Sequence, residues 1–113
     1  TWTNLKVLDL SCNAIGEKGA ECISNNPSWT QLQKLRLNNN FIGAEGVRYL
    51  CQNKVWNELL VLELQWNGIG PDGARYLSQC NSLLNLQELD LEWNMIGPEG
   101  AKYLSENKSW TKL

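Results

Sequence analysis

Histidine is absent from the 113 residues, which removes the side chain that most often moves protons near neutral pH and most often binds metals. Four cysteines remain, Cys12, Cys22, Cys51 and Cys80. No two of them have metal-ligand spacing, so neither a zinc site nor any other cofactor is expected. No apolar run approaches the roughly 18 residues of a membrane span, and no signal peptide opens the sequence. A dominant charge is missing too: ten Lys and Arg stand against twelve Asp and Glu, for a net charge of −2 and a pI of about 5.1. That balance argues against a nucleic-acid footprint or a polybasic membrane anchor, and suits a protein partner with basic groups at the contact. Phenylalanine and methionine occur once each, whereas tryptophan occurs six times.

What the chain has is a period of 27 residues. Leu5, Leu32, Leu59, Leu86 and Leu113 share one column, and Asn13, Asn40, Asn67 and Asn94 share another. Each unit reads L-x-x-L-x-L-x-x-N-x-I-G-x-x-G-A-x-x-L, changing from alternation to a helical period part-way along. The first half predicts a short strand, with Leu89 and Leu91 on one face and Glu88, Asp90 and Glu92 on the other. The second half predicts a helix opened by Gly97-Pro98-Glu99, with proline preset for the first turn and an acid near the positive end of the helix dipole.

These columns resemble the leucine-rich-repeat proteins of the ribonuclease-inhibitor-like type. The resemblance covers the whole chain and implies an α/β fold: a right-handed solenoid bent into a horseshoe arc, with a parallel sheet on the concave side and helices on the convex side. The ribonuclease inhibitor alternates slightly longer units where one 27-residue type repeats here, so the likeness is to the type and not to that protein. The units span 5–31, 32–58, 59–85 and 86–112, within a single array over 1–113. Recognisable capping units are lacking, which points to an uncapped piece of a longer protein.

Several recurrent residues have structural explanations. The Asn13, Asn40, Asn67 and Asn94 column suits a buried amide ladder that satisfies turn backbone. The G-x-x-G at each strand-to-helix turn lacks the lysine of a phosphate loop and fits tight turns and close packing. Trp2, Trp29, Trp56 and Trp110, in one column, are expected to fill the core, with Leu83 standing in for tryptophan in the third unit. The segment 80–84 is the one expected irregularity. Cys51 and Cys80 lie closest to a shared register, but their offset of two residues disfavours an unstrained disulfide.

Strands pack about 4.8 Å apart and helices about 10 Å, so the stack should curve with its sheet inside. That concave face carries the columns that vary. Trp66 and Trp93 occupy a column where Cys12 and Asn39 show that the core demands no indole, so both are expected to be exposed, as binding residues or stacked on each other. Phe41 and Met95 should extend them into an apolar edge. Asp9, Arg36 and Glu63 suit a cross-strand charge ladder, while Glu63, Glu88, Asp90 and Glu92 suit an acidic patch, with Asn38 and Gln65 between. Lys6, Lys34 and Arg36 leave this face with an excess of two negative charges.

An enzyme is not expected, because an open strand face offers no water-excluding pocket to raise a carboxylate's pKa. The functional expectation is protein binding through the concave face, as the recognition region of a larger intracellular, cytoplasmic receptor, regulator or effector. The resemblance also admits a GTPase-activating regulator of the Ran type, though no motif carries catalytic residues across. Uncapped ends would further allow end-to-end self-association as a structural element.

Overall fold

A computed structural model describes residues 2–113. Four strands, β1 (Val7–Asp9), β2 (Lys34–Arg36), β3 (Val61–Glu63) and β4 (Glu88–Asp90), alternate with four helices, α1 (Gly16–Ser24), α2 (Gly43–Leu50), α3 (Gly70–Ser78) and α4 (Gly97–Ser105). All strand pairs are parallel, in the order β1-β2-β3-β4, and the register is the sequence period: Leu8, Leu35, Leu62 and Leu89 stand side by side. Helices pack on their sequence neighbours in the same order. The result is the α/β solenoid expected of the repeat.

Alternation along each strand and helical spacing along each helix send one stripe of each into a shared core. Leu32, Leu35, Leu37, Ile42, Val47, Leu59, Leu62, Leu64 and Ile69 are buried in the two middle units. Their counterparts Leu5, Leu8 and Leu10 in the first unit and Leu89, Leu91 and Ile96 in the last are only half-buried. A repeat is covered by its neighbours, and the outer units have a neighbour on one side only.

The asparagine column explains how three-residue strands hold register. Each buried amide accepts two backbone N–H groups from the preceding unit: Asn67 Oδ1 takes Asn40 N at 2.9 Å and Ile42 N at 3.2 Å. Its Nδ2 donates to the Leu37 and Leu64 carbonyls. Asn94 repeats the pattern one unit on. The helices carry no side-chain N-cap. Instead Gly43 N donates to the Asn67 carbonyl and Gly70 N to that of Asn94, so a helix start that would otherwise leave orphan donors is capped by the following unit. Stacking and capping are therefore one interaction.

The two glycines of each G-x-x-G have separate duties. Gly70 sits at φ +63°, a left-handed conformation that disfavours a Cβ. At Gly73 the φ is ordinary, but a Cβ would run into Ile69 and lie 3.3 Å from the Ala44 Cα of the preceding unit. Tight turns and close helix packing account for both without a phosphate.

Candidate functional site

Residues 38–42 and their equivalents leave the strands and climb toward the helices, and the backbone there is unusual. Cys12, Asn39, Trp66 and Trp93, just before the ladder asparagine, lie at φ 54–61°. Ala14, Phe41, Gly68 and Met95, just after it, lie at φ 53–64°. Left-handed backbone costs an L-residue about 1–2 kcal/mol, and bulky side chains are rare there. Asn39 and Gly68 are types that tolerate it, whereas two tryptophans, a phenylalanine and a methionine hold it at a cost. Sequence reasoning missed this strain, although Asn39 and Gly68 in those columns were the available signal.

Those four bulky side chains are solvent-facing. Trp66 is 56% exposed, Trp93 67%, Phe41 71% and Met95 82%. Trp66 and Trp93 stack on one another with ring centroids 4.8 Å apart and planes 10° from parallel, an offset arrangement worth about 0.5–1.5 kcal/mol beyond burial. Stacking and exposure thus occur together. With Asn39, Asn67 and Gly68, the four apolar residues line an open groove of about 700 Å³.

The concave face divides into a compensated and an uncompensated half. Glu63 takes Lys34 Nζ at 3.0 Å, Arg36 Nε at 3.3 Å and Asn38 Nδ2 at 3.1 Å. Burial raises its pKa, but the hydrogen bonds from Lys34, Asn38 and Arg36 outweigh that and hold it below the ordinary carboxylate range. Arg36 also reaches Asp9 at 3.5 Å, completing the expected ladder. Asp9 is lowered chiefly by the backbone N–H of Ser11, then by the Ser11 hydroxyl, with Arg36 adding to it. Glu63 therefore joins the ladder and does not stand as a free member of the acidic patch.

The remaining acids are Glu88, Asp90 and Glu92. None forms an ion pair among the described residues. Gln65 Nε2 holds Asp90 at 2.7 Å and Glu92 at 3.2 Å; Gln65 N is itself fixed by Asn38 Oδ1 at 2.8 Å. Glu63, Glu88, Asp90 and Glu92, together with Leu89, Leu91 and Leu113, line a shallow cleft of about 690 Å³ along the unpaired edge of β4. Glu92 directly precedes Trp93, and its carbonyl accepts the Trp66 N–H at 3.1 Å. Glu92 therefore adjoins the stacked indoles, while Glu88 and Asp90 stand further along β4.

The role of a second asparagine column, Asn26, Asn53 and Asn107, was also missed. Asn53 Oδ1 accepts Val55 N and Trp56 N, and its Nδ2 donates to Ser24 O. Asn107 does the same for Ser109, Trp110 and Leu77. The recurrence of Asn26, Asn53 and Asn107 was visible, and its meaning is to anchor the chain after each helix. Cys80 breaks the column, Ser82 Oγ bonds the Cys51 carbonyl instead at 2.6 Å, and Leu83 adopts φ 54°. The irregularity falls in the expected segment.

Among the described residues no three His, Cys, Asp or Glu side chains group to hold a metal ion, and no helix is long and apolar enough to cross a membrane. A family model described as Leucine Rich repeat matches residues 3–24, 30–51, 58–78 and 82–105. With most of the chain matched, in four places that follow the four strand-helix units, the protein belongs to the leucine-rich-repeat family. No curated protein matches it.

Proposed function

We propose that the chain is a protein-recognition module of the ribonuclease-inhibitor-like type. On this reading it grips a partner segment carrying Arg or Lys beside apolar side chains. Its family favours an interaction scaffold over an enzyme. The observation that carries the reading is the Trp66–Trp93 stack, kept exposed on left-handed backbone next to Glu92, one of three acids without ion pairs. Large aromatics in the open are the usual anchors of binding energy, and adjacent like charges favour a basic arrival. The contact surface comprises Trp66, Trp93, Phe41 and Met95 for apolar groups, with Glu88, Asp90 and Glu92 for basic ones. Gln65, Asn38, Arg36 and Glu63 set the geometry of the acids and offer further polar contacts. As part of a larger intracellular receptor, regulator or effector, such a module would work in the cytoplasm, where reduced cysteines are the norm.

A displayed random-peptide library panned on the folded chain tests this. Enriched peptides should carry Arg or Lys next to an apolar residue, bind more weakly as salt rises, and lose at least about 2 kcal/mol on the Trp66→Ala/Trp93→Ala variant. Peptides that are acidic, or that bind the double variant equally well, would overturn the proposal.

A further inference from the structure

The convex side holds a feature the recognition surface does not use. Cys51 follows α2 and Cys80 follows α3, so both thiols fall at the same edge of neighbouring units. They line one cleft of about 300 Å³, together with Arg48, Gln52, Lys54, Tyr76, Gln79 and Asn81. Ser82 ties the two residues together: its hydroxyl donates to the Cys51 carbonyl at 2.6 Å and lies 3.5 Å from the Cys80 sulfur. The offset of two residues, which disfavours a disulfide when counted along the chain, coincides with the irregular loop that Ser82 and Leu83 form. Cys80 replaces the anchoring asparagine and Ser82 makes the bond in its place, and these substitutions put the Cys80 sulfur within two hydrogen bonds of the Cys51 backbone.

We propose that Cys51 and Cys80 form a redox-sensitive thiol pair, closed to an interrepeat disulfide by hydrogen peroxide. The chemistry suits these two sulfurs. With the Cys51 thiol beside it as the largest cause, and with Ser82 and the Lys54 charge adding to it, the Cys80 thiol is brought down to about 7 against the effect of burial. The neighbouring Cys80 and burial together raise Cys51 well above the ordinary thiol range. Cys80 is therefore the nucleophile and Cys51 the resolving thiol. The Cys80 thiolate attacks one peroxide oxygen; an S–O bond forms, the O–O bond breaks, and the leaving hydroxide takes up a proton to become water. The Cys51 sulfur then attacks the Cys80 sulfenic acid. An S–S bond forms, the S–O bond breaks, and the departing hydroxide leaves as water with the Cys51 proton. Two thiols are oxidised by two electrons, and one peroxide is reduced to two waters. Lys54 places a positive charge in the cleft, which favours the thiolate, whereas Arg48 is held by Glu45 at 2.8 Å. Cys12 and Cys22, both exposed on other parts of the repeat, have no such neighbour.

The test is mass mapping of the folded chain after treatment with one equivalent of hydrogen peroxide, alkylation of the remaining thiols and digestion with trypsin without reductant. Cleavage at Arg48, Lys54, Arg75 and Lys102 puts Cys51 on peptide 49–54 and Cys80 on peptide 76–102. The expected result is a loss of two of the four free thiols, with these two peptides joined and released again by dithiothreitol. A parallel Cys51→Ser chain should leave Cys80 as a sulfenic acid that dimedone traps. Separately alkylated Cys51 and Cys80, a Cys80 sulfinic acid without the link, or links through Cys12 or Cys22 would overturn the proposal. The unsubstituted chain alone decides the matter if the Cys51→Ser variant does not fold.

Discussion

Two columns of the repeat carry tryptophan, and they give it opposite fates. Trp56 and Trp110 are 2% and 9% exposed, wedged between the end of a helix and the next strand, with Trp29 half-buried above them. Trp66 and Trp93 stand in the open on left-handed backbone. Residue type is the same and the units are neighbours, so position within the period decides what an indole does. In the first column packing rewards a large apolar body. In the second nothing in the fold asks for one, since Cys12 and Asn39 serve equally well there.

The widest separation between the columns should come from truncation. Trp56→Ala should cost about 3–5 kcal/mol of folding free energy, whereas Trp66→Ala should cost no more than about 1.5 kcal/mol, the value of the lost stack. Equal losses in denaturant titrations would erase the distinction. The ladder between the columns comes next. Asn67→Ala leaves the buried Asn40 and Ile42 amides without their acceptor and should cost about 3 kcal/mol.

Finer substitutions sharpen the contrast. Because asparagine tolerates left-handed backbone, Trp93→Asn should be more stable than Trp93→Ala by about 0.5–1 kcal/mol, an order that would reverse at an ordinary φ. Within the buried column the indole N–H differs: Trp110 Nε1 donates to Ser82 O at 3.0 Å, while Trp56 Nε1 is buried with no partner among the described residues. Trp110→Phe should therefore cost about 1 kcal/mol more than Trp56→Phe. Calorimetric midpoints for the pair would show it.

The smallest effect lies on the strand face between the columns. Glu63 is held below its ordinary range, so it binds fewer protons folded than unfolded. Its contribution is present above the unfolded carboxylate pKa, about 4.3, and is lost as pH falls through the lowered folded value. Glu63→Gln should flatten the acid limb of the stability profile and leave neutral pH less affected than Asn67→Ala.

How much of this was legible in the sequence follows from what a period can encode. Leu8, Leu35, Leu62 and Leu89 recur because the core is the same in every unit, so strand register was readable from spacing alone. The exposure of Trp66 and Trp93 was readable for the complementary reason, that their column does not repeat. Backbone dihedrals leave a fainter mark, here only Asn39 and Gly68. Features that arise where the repeat fails are hidden from it. Ser82 substitutes for an asparagine two positions earlier, and only the folded loop brings it to Cys51. Similarly, the competition of Arg36 and Lys34 for Glu63 depends on side-chain reach across strands, which column counting does not contain.

The division of labour between the two columns can be read directly in fluorine spectra. The chain labelled with 5-fluorotryptophan should give one resonance for each of its six tryptophans, assigned by single substitution and titrated with a peptide selected on the folded protein. The account predicts that the Trp66 and Trp93 resonances move together and saturate while those of Trp29, Trp56 and Trp110 stay in place. Saturable binding that shifts the Trp56 and Trp110 resonances, or that leaves Trp66 and Trp93 unmoved, would contradict it.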